Sequence, residues 1–274
     1  MSIVVITIPD PVKQEFVRHL QEKTGAVDLV IIQERPPKLW HRRWYKSLRP
    51  TYLYYSLLLR LRPALRTALS WFRAVPDQTT LQKEWSAPTI WTDDINSPKT
   101  KTQIATHAPQ VLAIWGSGLI DDDTINMAEH TINLHLGLAP YYRGALANQF
   151  AVGRGDLEHV GYTIHYVNPR ADAGDIIAAR AIPAQENPRD TFCTINEKAR
   201  IHYIDIINKI VTGKTIDQRS QDTETGHLSR MQDWTPQRRY QLAIRLLRWR
   251  RSGRPPHSPL PAFAYTSDQK NKRT

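Results

Sequence analysis

Three stretches of the chain combine residue types that can do chemistry. Asn133-Leu134-His135 sets a side-chain amide and an imidazole two residues apart. At the end of a strand that spacing turns both side chains to one side, and strand ends of open α/β sheets are where ligands bind. An amide N–H can donate to a developing negative charge, and an imidazole can exchange a proton near neutral pH. A capping asparagine beside a hydrogen-bonded surface histidine is the plainer reading of the same residues. Asp172-Ala173-Gly174-Asp175 lies between two predicted strands. Such a turn is commonly structural, and no ligand cluster of recognised spacing joins Asp172 and Asp175 in a metal site. Ile114-Trp115-Gly116-Ser117-Gly118-Leu119-Ile120 directly follows a predicted strand, and its two glycines let the backbone approach a flat ligand. Glycines after strands also simply make turns.

The elements that must position these residues follow from the hydrophobic pattern. Residues 2–8 are a short apolar, β-branched run closed by Pro9, the pattern of a buried strand. Residues 10–23 carry Val12, Phe16, Val17 and Leu20 at helical spacing, and Gly25 follows as a stop. Residues 27–32 are a second apolar strand. A β-α-β start predicts a parallel sheet covered by helices. Residues 35–76 interrupt the alternation: Trp40, Trp44, Tyr45, Tyr52, Tyr54, Tyr55 and Trp71 stand among leucines and arginines. Pro50 and Pro63 divide this segment into roughly three short helices. The alternation resumes with a strand at 89–91, a helix at 99–108, strands at 110–115 and 131–134, and a helix at 145–154. Strands at 160–167 and 176–182 follow, then a long helix at 191–211 stopped by Gly213. After Thr215 the chain is polar as far as a second basic amphipathic stretch at 236–251. The Pro-rich, then charged tail from Ser252 is expected to be loose.

Composition bounds the function classes. With 274 residues, 41% of them hydrophobic, the chain can build one large domain or one domain with appendages. The single cysteine, Cys193, rules out an internal disulfide framework or a cysteine-rich metal site and fits a reducing compartment. The opening MSIVVITIPD has no basic n-region, so no secretory signal is expected. No apolar run is long enough to predict a spanning helix. The net charge of +11 is local: residues 35–76 hold ten Lys/Arg and residues 234–267 seven, with no acid in either. The remainder carries 20 basic and 26 acidic residues, a mildly acidic body unlike a uniformly basic nucleic-acid binder.

Taken in order, the three stretches resemble the folate-dependent formyltransferases acting on glycinamide ribonucleotide, on methionyl-tRNA and on amino sugars. The resemblance rests on Asn133-Leu134-His135, on Leu138-Ala139-Pro140-Tyr141-Tyr142-Arg143-Gly144, and on Asp172-Ala173-Gly174. The strand Val160-Gly161-Tyr162-Thr163-Ile164-His165 matches as well. It is strong over 109–212, holds for 1–34 at the level of fold, and has no counterpart for 35–76. The family often has a serine two residues after the histidine and Leu-Leu-Pro beyond it. Here Gly137 and Leu138-Ala139-Pro140 stand there, which bears on the shape of the substrate loop.

The resemblance implies an α/β, Rossmann-like formyltransferase domain at 1–213 with a basic helical insertion at 35–76, followed by a C-terminal extension at 214–274. It implies N10-formyltetrahydrofolate as formyl donor, with Asn133, His135 and Asp172 as the catalytic groups. Ser117, Gly118, Leu119, Ile120, Val167 and Asn168 would hold the donor, and Tyr141, Tyr142 and Arg143 would face the acceptor. The tRNA-acting relatives carry a C-terminal barrel, and the purine-pathway relatives are compact without a long basic insertion. The expected acceptor is therefore an amino sugar, nucleotide-linked or lipid-linked. The expected setting is cytoplasmic, with membrane contact through 35–76 and 236–251; a helical lid over the site is the competing role for these segments. A formyltetrahydrofolate hydrolase, a methionyl-tRNA formyltransferase-like protein and a non-enzymatic adaptor are the rival functions.

Overall fold

The computed structural model describes residues 1–34, 49–73 and 84–263. Its strands are β1 (Ile3–Thr7), β2 (Val27–Gln33), β3 (Thr89–Thr92), β4 (Val111–Trp115), β5 (His130–His135), β6 (Tyr142–Gly144), β7 (Gly161–Tyr166), β8 (Ile176–Ala181) and β9 (His227–Ser229). Its helices are α1 (Pro11–Thr24), α2 (Pro50–Leu61), α3 (Pro63–Ser70), α4 (Pro98–His107), α5 (Asp122–Ile125), α6 (Ala147–Arg154), α7 (Pro188–Val211) and α8 (Pro236–Ser252).

Seven strands form one sheet in the order β3-β2-β1-β4-β5-β7-β8. The first five run parallel, β7 runs antiparallel to β5, and β8 runs antiparallel to β7. This is the mostly parallel, helix-covered α/β sheet expected from the sequence. Both faces are buried, which is why the strands read as continuous apolar runs. Along β1, Ile3 and Val5 enter the core under α1 and α7, while Val4 and Ile6 enter a smaller cluster with Ile104 of α4.

Local chemistry sets the helix ends. The Asp10 carboxylate accepts the Val12 N–H, Pro11 opens α1, and Gly25 closes it at φ 63°. Pro50 and Pro63 each stand at the first turn of their helix, so they start α2 and α3 as well as dividing the insertion. The first of the three helices expected there falls at 35–48, outside the described residues.

Two strands were not expected. β6 and β9 pair in parallel as a separate two-stranded sheet, with Tyr142 opposite His227 and Gly144 opposite Ser229. Three residues each, without alternation, leave no periodic signal. The loose tail is also corrected for residues 253–263. Phe263 is buried against Phe150 of α6, and the Leu260 N–H donates to Gly153 O. Residues 264–274 lie outside the described part.

Candidate active site

Antiparallel pairing of β5 with β7 sets Asn133 opposite His165 and His135 opposite Thr163. Just before this point the Tyr203 hydroxyl of α7 enters between β4 and β5, accepting the Ile114 N–H and reaching Ile132 O at 2.8 Å. Asp172 lies on the connection from β7 to β8 and takes a left-handed conformation, φ 48°. Asp tolerates that region better than most residues because its short side chain can hydrogen-bond locally. Gly174, two residues on, has no room for a Cβ against Tyr166 O. The Asp-x-Gly pattern thus has a steric reason here.

Asp172 is the hub of the site. Its Oδ2 lies 3.2 Å from His135 Nδ1 and accepts the Gly144 N–H at 2.8 Å. Its Oδ1 accepts from Asn133 Nδ2 at 3.2 Å and lies 3.3 Å from His165 Nε2. Burial alone would raise its pKa. The facing His135, the bond and charge of His165 and the Gly144 N–H outweigh burial and hold the carboxyl well below the usual range. Asp172 is therefore an ionised carboxylate in a partly buried position.

His135 is held towards its neutral form. Burial pushes its pKa below the ordinary histidine value, and the Asp172 charge pulls the other way. Its Nδ1 faces Asp172, and its Nε2 lies 3.1 Å from Tyr142 O. Both neighbours are acceptors, so a neutral ring can donate to only one of them and a protonated ring to both. His165 Nδ1 lies 2.7 Å from Tyr166 O, and its Nε2 lies 3.1 Å from Asn133 Nδ2 and 3.3 Å from Asp172 Oδ1. Asn133 thus donates to Asp172 and sets its amide nitrogen beside the His165 ring. A Cβ at Gly137 would collide with His135 Nε2 and with Ala147 Cβ. The glycine in place of the family's serine lets the His135 ring lie against this turn.

The residues expected to hold the donor flank one apolar cluster. Ile120 is buried in it and Val167 packs on it, so the loop after β4 and the loop after β7 adjoin. Leu119 stands exposed, the Ser117 hydroxyl bonds Gly118 O, and Asn168 accepts the Arg170 N–H. Two residues the sequence did not single out set the first loop. Gln33 accepts the Gly118 N–H at 2.7 Å, and Asn96 donates to Leu119 O while accepting the Asp121 N–H.

The acceptor-side group divides. Tyr141 is exposed and lies against His159, ring centroids 3.8 Å apart and planes tilted by 37°. Tyr142 and Arg143 turn inward instead. The Tyr142 hydroxyl donates to Asp156, and burial followed by this bond pushes its pKa well up. Arg143 is buried and donates to Thr223 O at 2.6 Å.

Residues 219–229, a stretch without hydrophobic periodicity, form a strap across the site. Arg219 pairs with Ile176 at the start of β8, and the Gln221 amide donates to Asp172 O and Gly174 O. Farther along, Ser229 bonds Arg143 O, and its carbonyl accepts the Ala145 N–H. One segment thus ties the Asp172 loop to the loop that follows His135. His165 had a sequence signal: Thr163 and His165 are polar residues at period two within a buried strand. Thr163 also holds the 137–139 turn, accepting the Ala139 N–H and donating to Gly137 O.

The sheet order, the helices on both faces and a polar cluster at the carboxyl end of β5 define a Rossmann-like α/β protein. Residues 75–209 match the formyl transferase family, a family of enzymes. A methionyl-tRNA formyltransferase from Nitrosomonas europaea is 30% identical over 120 residues, 43% of this chain and 36% of that protein. The chain thus spans little more than a third of the curated relatives it matches. Among solved structures, an N-formyltransferase from Helicobacter canadensis, in complex with folinic acid and dTDP-3-aminofucose, covers 91% of this chain and 82% of its own. Its TM-score is 0.57 at 11% identity. A 4-N formyltransferase from Francisella tularensis has TM-score 0.56 and 16% identity, over 89% of this chain and 88% of its own.

Proposed function

We propose that the protein transfers a formyl group from N10-formyltetrahydrofolate to the amine of a nucleotide-linked amino sugar. The observation that carries this reading is the convergence of Asn133, His135 and His165 on the ionised Asp172, inside the stretch that matches the formyl transferase family.

The donor supplies a formyl carbon on a nitrogen leaving group. As the acceptor nitrogen bonds to that carbon, the carbon–N10 bond breaks, and the amine proton must end on N10. An Asn133 N–H turns from the Asp172–His165 cluster to donate a hydrogen bond to the developing oxyanion. His135 takes the amine proton and passes it on, its protonated form stabilised by bonds to Asp172 and Tyr142 O. Asp172 keeps His135 oriented and favours that protonated form. The exposed Leu119 and the neighbouring Ser117–Ile120 and Val167–Asn168 loops suit a flat heteroaromatic ring. Tyr141 is the member of the expected acceptor group that faces solvent.

Two observations favour a sugar amine. Solved structures alike over most of the chain include a sugar N-formyltransferase and an N-formyltransferase bound to a dTDP-linked amino sugar, beside phosphoribosylglycinamide formyltransferases. Residues 219–263 are committed to strapping the site and packing on the helical insertion. A tRNA acceptor is the second reading, favoured by the 30% identity to methionyl-tRNA formyltransferase. The test is a formylation screen of nucleotide-linked amino sugars and methionyl-tRNA with N10-formyltetrahydrofolate, read by mass and by formate release. A folate-dependent formamide on a sugar nucleotide supports the proposal. Formylated methionyl-tRNA alone selects the second reading, and formate without a formylated amine makes the protein a hydrolase.

A further inference from the structure

The two basic segments, far apart in sequence, meet in space. Helices α2 and α3 both pack on α8: the Tyr55 and Tyr240 rings lie 5.3 Å apart, and the Arg250 guanidinium lies 5.1 Å from the Trp71 ring. The inner side of this layer is ordinary core. Leu59, Leu65, Trp71, Leu246 and Trp249 are buried, and Phe72 lies 4.0 Å from Phe192 of α7, centroid to centroid. Much of the segment's aromatic content is thus consumed in packing, as a helical subdomain requires.

The outer side of α2 is different. Leu53, Tyr54, Leu57 and Leu61 are all exposed, with Leu61 at 67%. At about 100° per residue these four fall within a stripe about 100° wide, opposite the buried Leu59. No charge interrupts the stripe and Arg60 borders it. Arg49, Arg62 and Arg66 are exposed nearby, and Arg248 and Arg251 are exposed on α8. Residues 49–73 and 234–263 contain no Asp or Glu. Among the described residues no helix is long and apolar enough to cross a membrane.

We infer that this layer docks on an anionic lipid surface, with the Leu53–Leu61 stripe entering the headgroup boundary and the arginines meeting lipid phosphates. Nucleic acid would satisfy the arginines and leave three leucines and their apolar area in water. An interfacial helix satisfies both, because guanidinium groups reach headgroups while leucines enter the acyl boundary. Several arginines at an anionic leaflet add to the attraction, and the effect is screened by salt. The inference does not rest on the proposed acceptor, since binding is read without any substrate.

The test is co-sedimentation of the full chain with vesicles of phosphatidylcholine alone or mixed with phosphatidylglycerol, alongside gel shift of a bulk tRNA probe. The expected result is binding to the mixed vesicles, weakened by salt, and little to phosphatidylcholine alone. Leu57→Glu with Leu61→Glu should weaken vesicle binding at least about tenfold, and Arg248→Glu with Arg251→Glu about as much. Both variants alter exposed side chains, and an unchanged melting temperature confirms that they fold. The inference is overturned if wild type fails to bind mixed vesicles, if the leucine variant binds them like wild type, or if wild type prefers tRNA.

Discussion

The cluster around Asp172 and the arginine-rich helical layer are opposite kinds of surface. In the cluster a few buried and partly buried polar groups, drawn from β5, β7 and the loops beyond them, share one carboxylate. In the layer many exposed arginines repeat one chemistry, and its apolar stripe belongs to a single helix. The first is defined by position, so one altered atom can abolish it. The second is defined by composition, so it should fade in proportion to what is removed.

The sharpest test of that contrast is Asp172→Ala. It removes the acceptor of the Asn133 and Gly144 bonds and the partner of both histidines, so turnover should fall by roughly 100-fold or more. Each stranded buried donor should add about 1–3 kcal/mol of destabilisation, visible in denaturant unfolding. Retained turnover would reduce Asp172 to a structural turn. Gln221→Ala comes next. It frees the Asp172 loop from the strap without touching the polar cluster, and kcat should drop about tenfold while donor affinity holds. An equal loss of donor affinity would mean that Gln221 shapes the folate site instead.

Within the layer, core and surface should separate. Leu246→Ala should cost about 2–5 kcal/mol by cavity formation, measured by urea unfolding. Arg248→Glu should stay within about 0.5 kcal/mol and leave formylation unchanged. An inert Leu246→Ala would dissolve the distinction between a packed inner face and a docking outer face.

Acid should act on the cluster more gently. His135 has its pKa depressed in the folded state, so below the ordinary value of about 6.5 the unfolded chain binds more protons and stability falls. Asp172 is also depressed, so its contribution, present above the unfolded value of about 3.9, is lost as pH falls towards the folded one. Thermal melts between neutral and mildly acidic pH should decline in wild type and decline less in His135→Gln. Equal slopes would show that His135 is not the titrating group.

The same contrast governs what the sequence could reveal. Buried strands were legible because both faces of the sheet are apolar. Asn133 and His135 were legible as a pair because strand geometry keeps i and i+2 together. Asp172 looked ordinary until its order relative to the Pro140–Gly144 loop raised the family resemblance. Gln33, Asn96 and Gln221 escaped notice because each acts on a backbone group distant in sequence, and a polar residue in a polar stretch carries no periodicity. The inward turn of Tyr142 and Arg143 followed from the pairing of β6 with β9, which no local pattern announces. For the layer, charge counting found both segments, yet only the folded chain brings them together and separates buried aromatics from exposed ones.

The central claim is that His135 and Asp172 act as one proton-handling unit in formyl transfer. It is tested most directly by single-turnover formylation of an accepted amino-sugar nucleotide by wild type, His135→Ala, Asp172→Ala and the double variant. Groups acting as a unit are non-additive, so the double variant should be about as slow as the slower single one, each down roughly 100-fold or more. Multiplicative losses, or a His135→Ala enzyme as fast as wild type, would contradict the account.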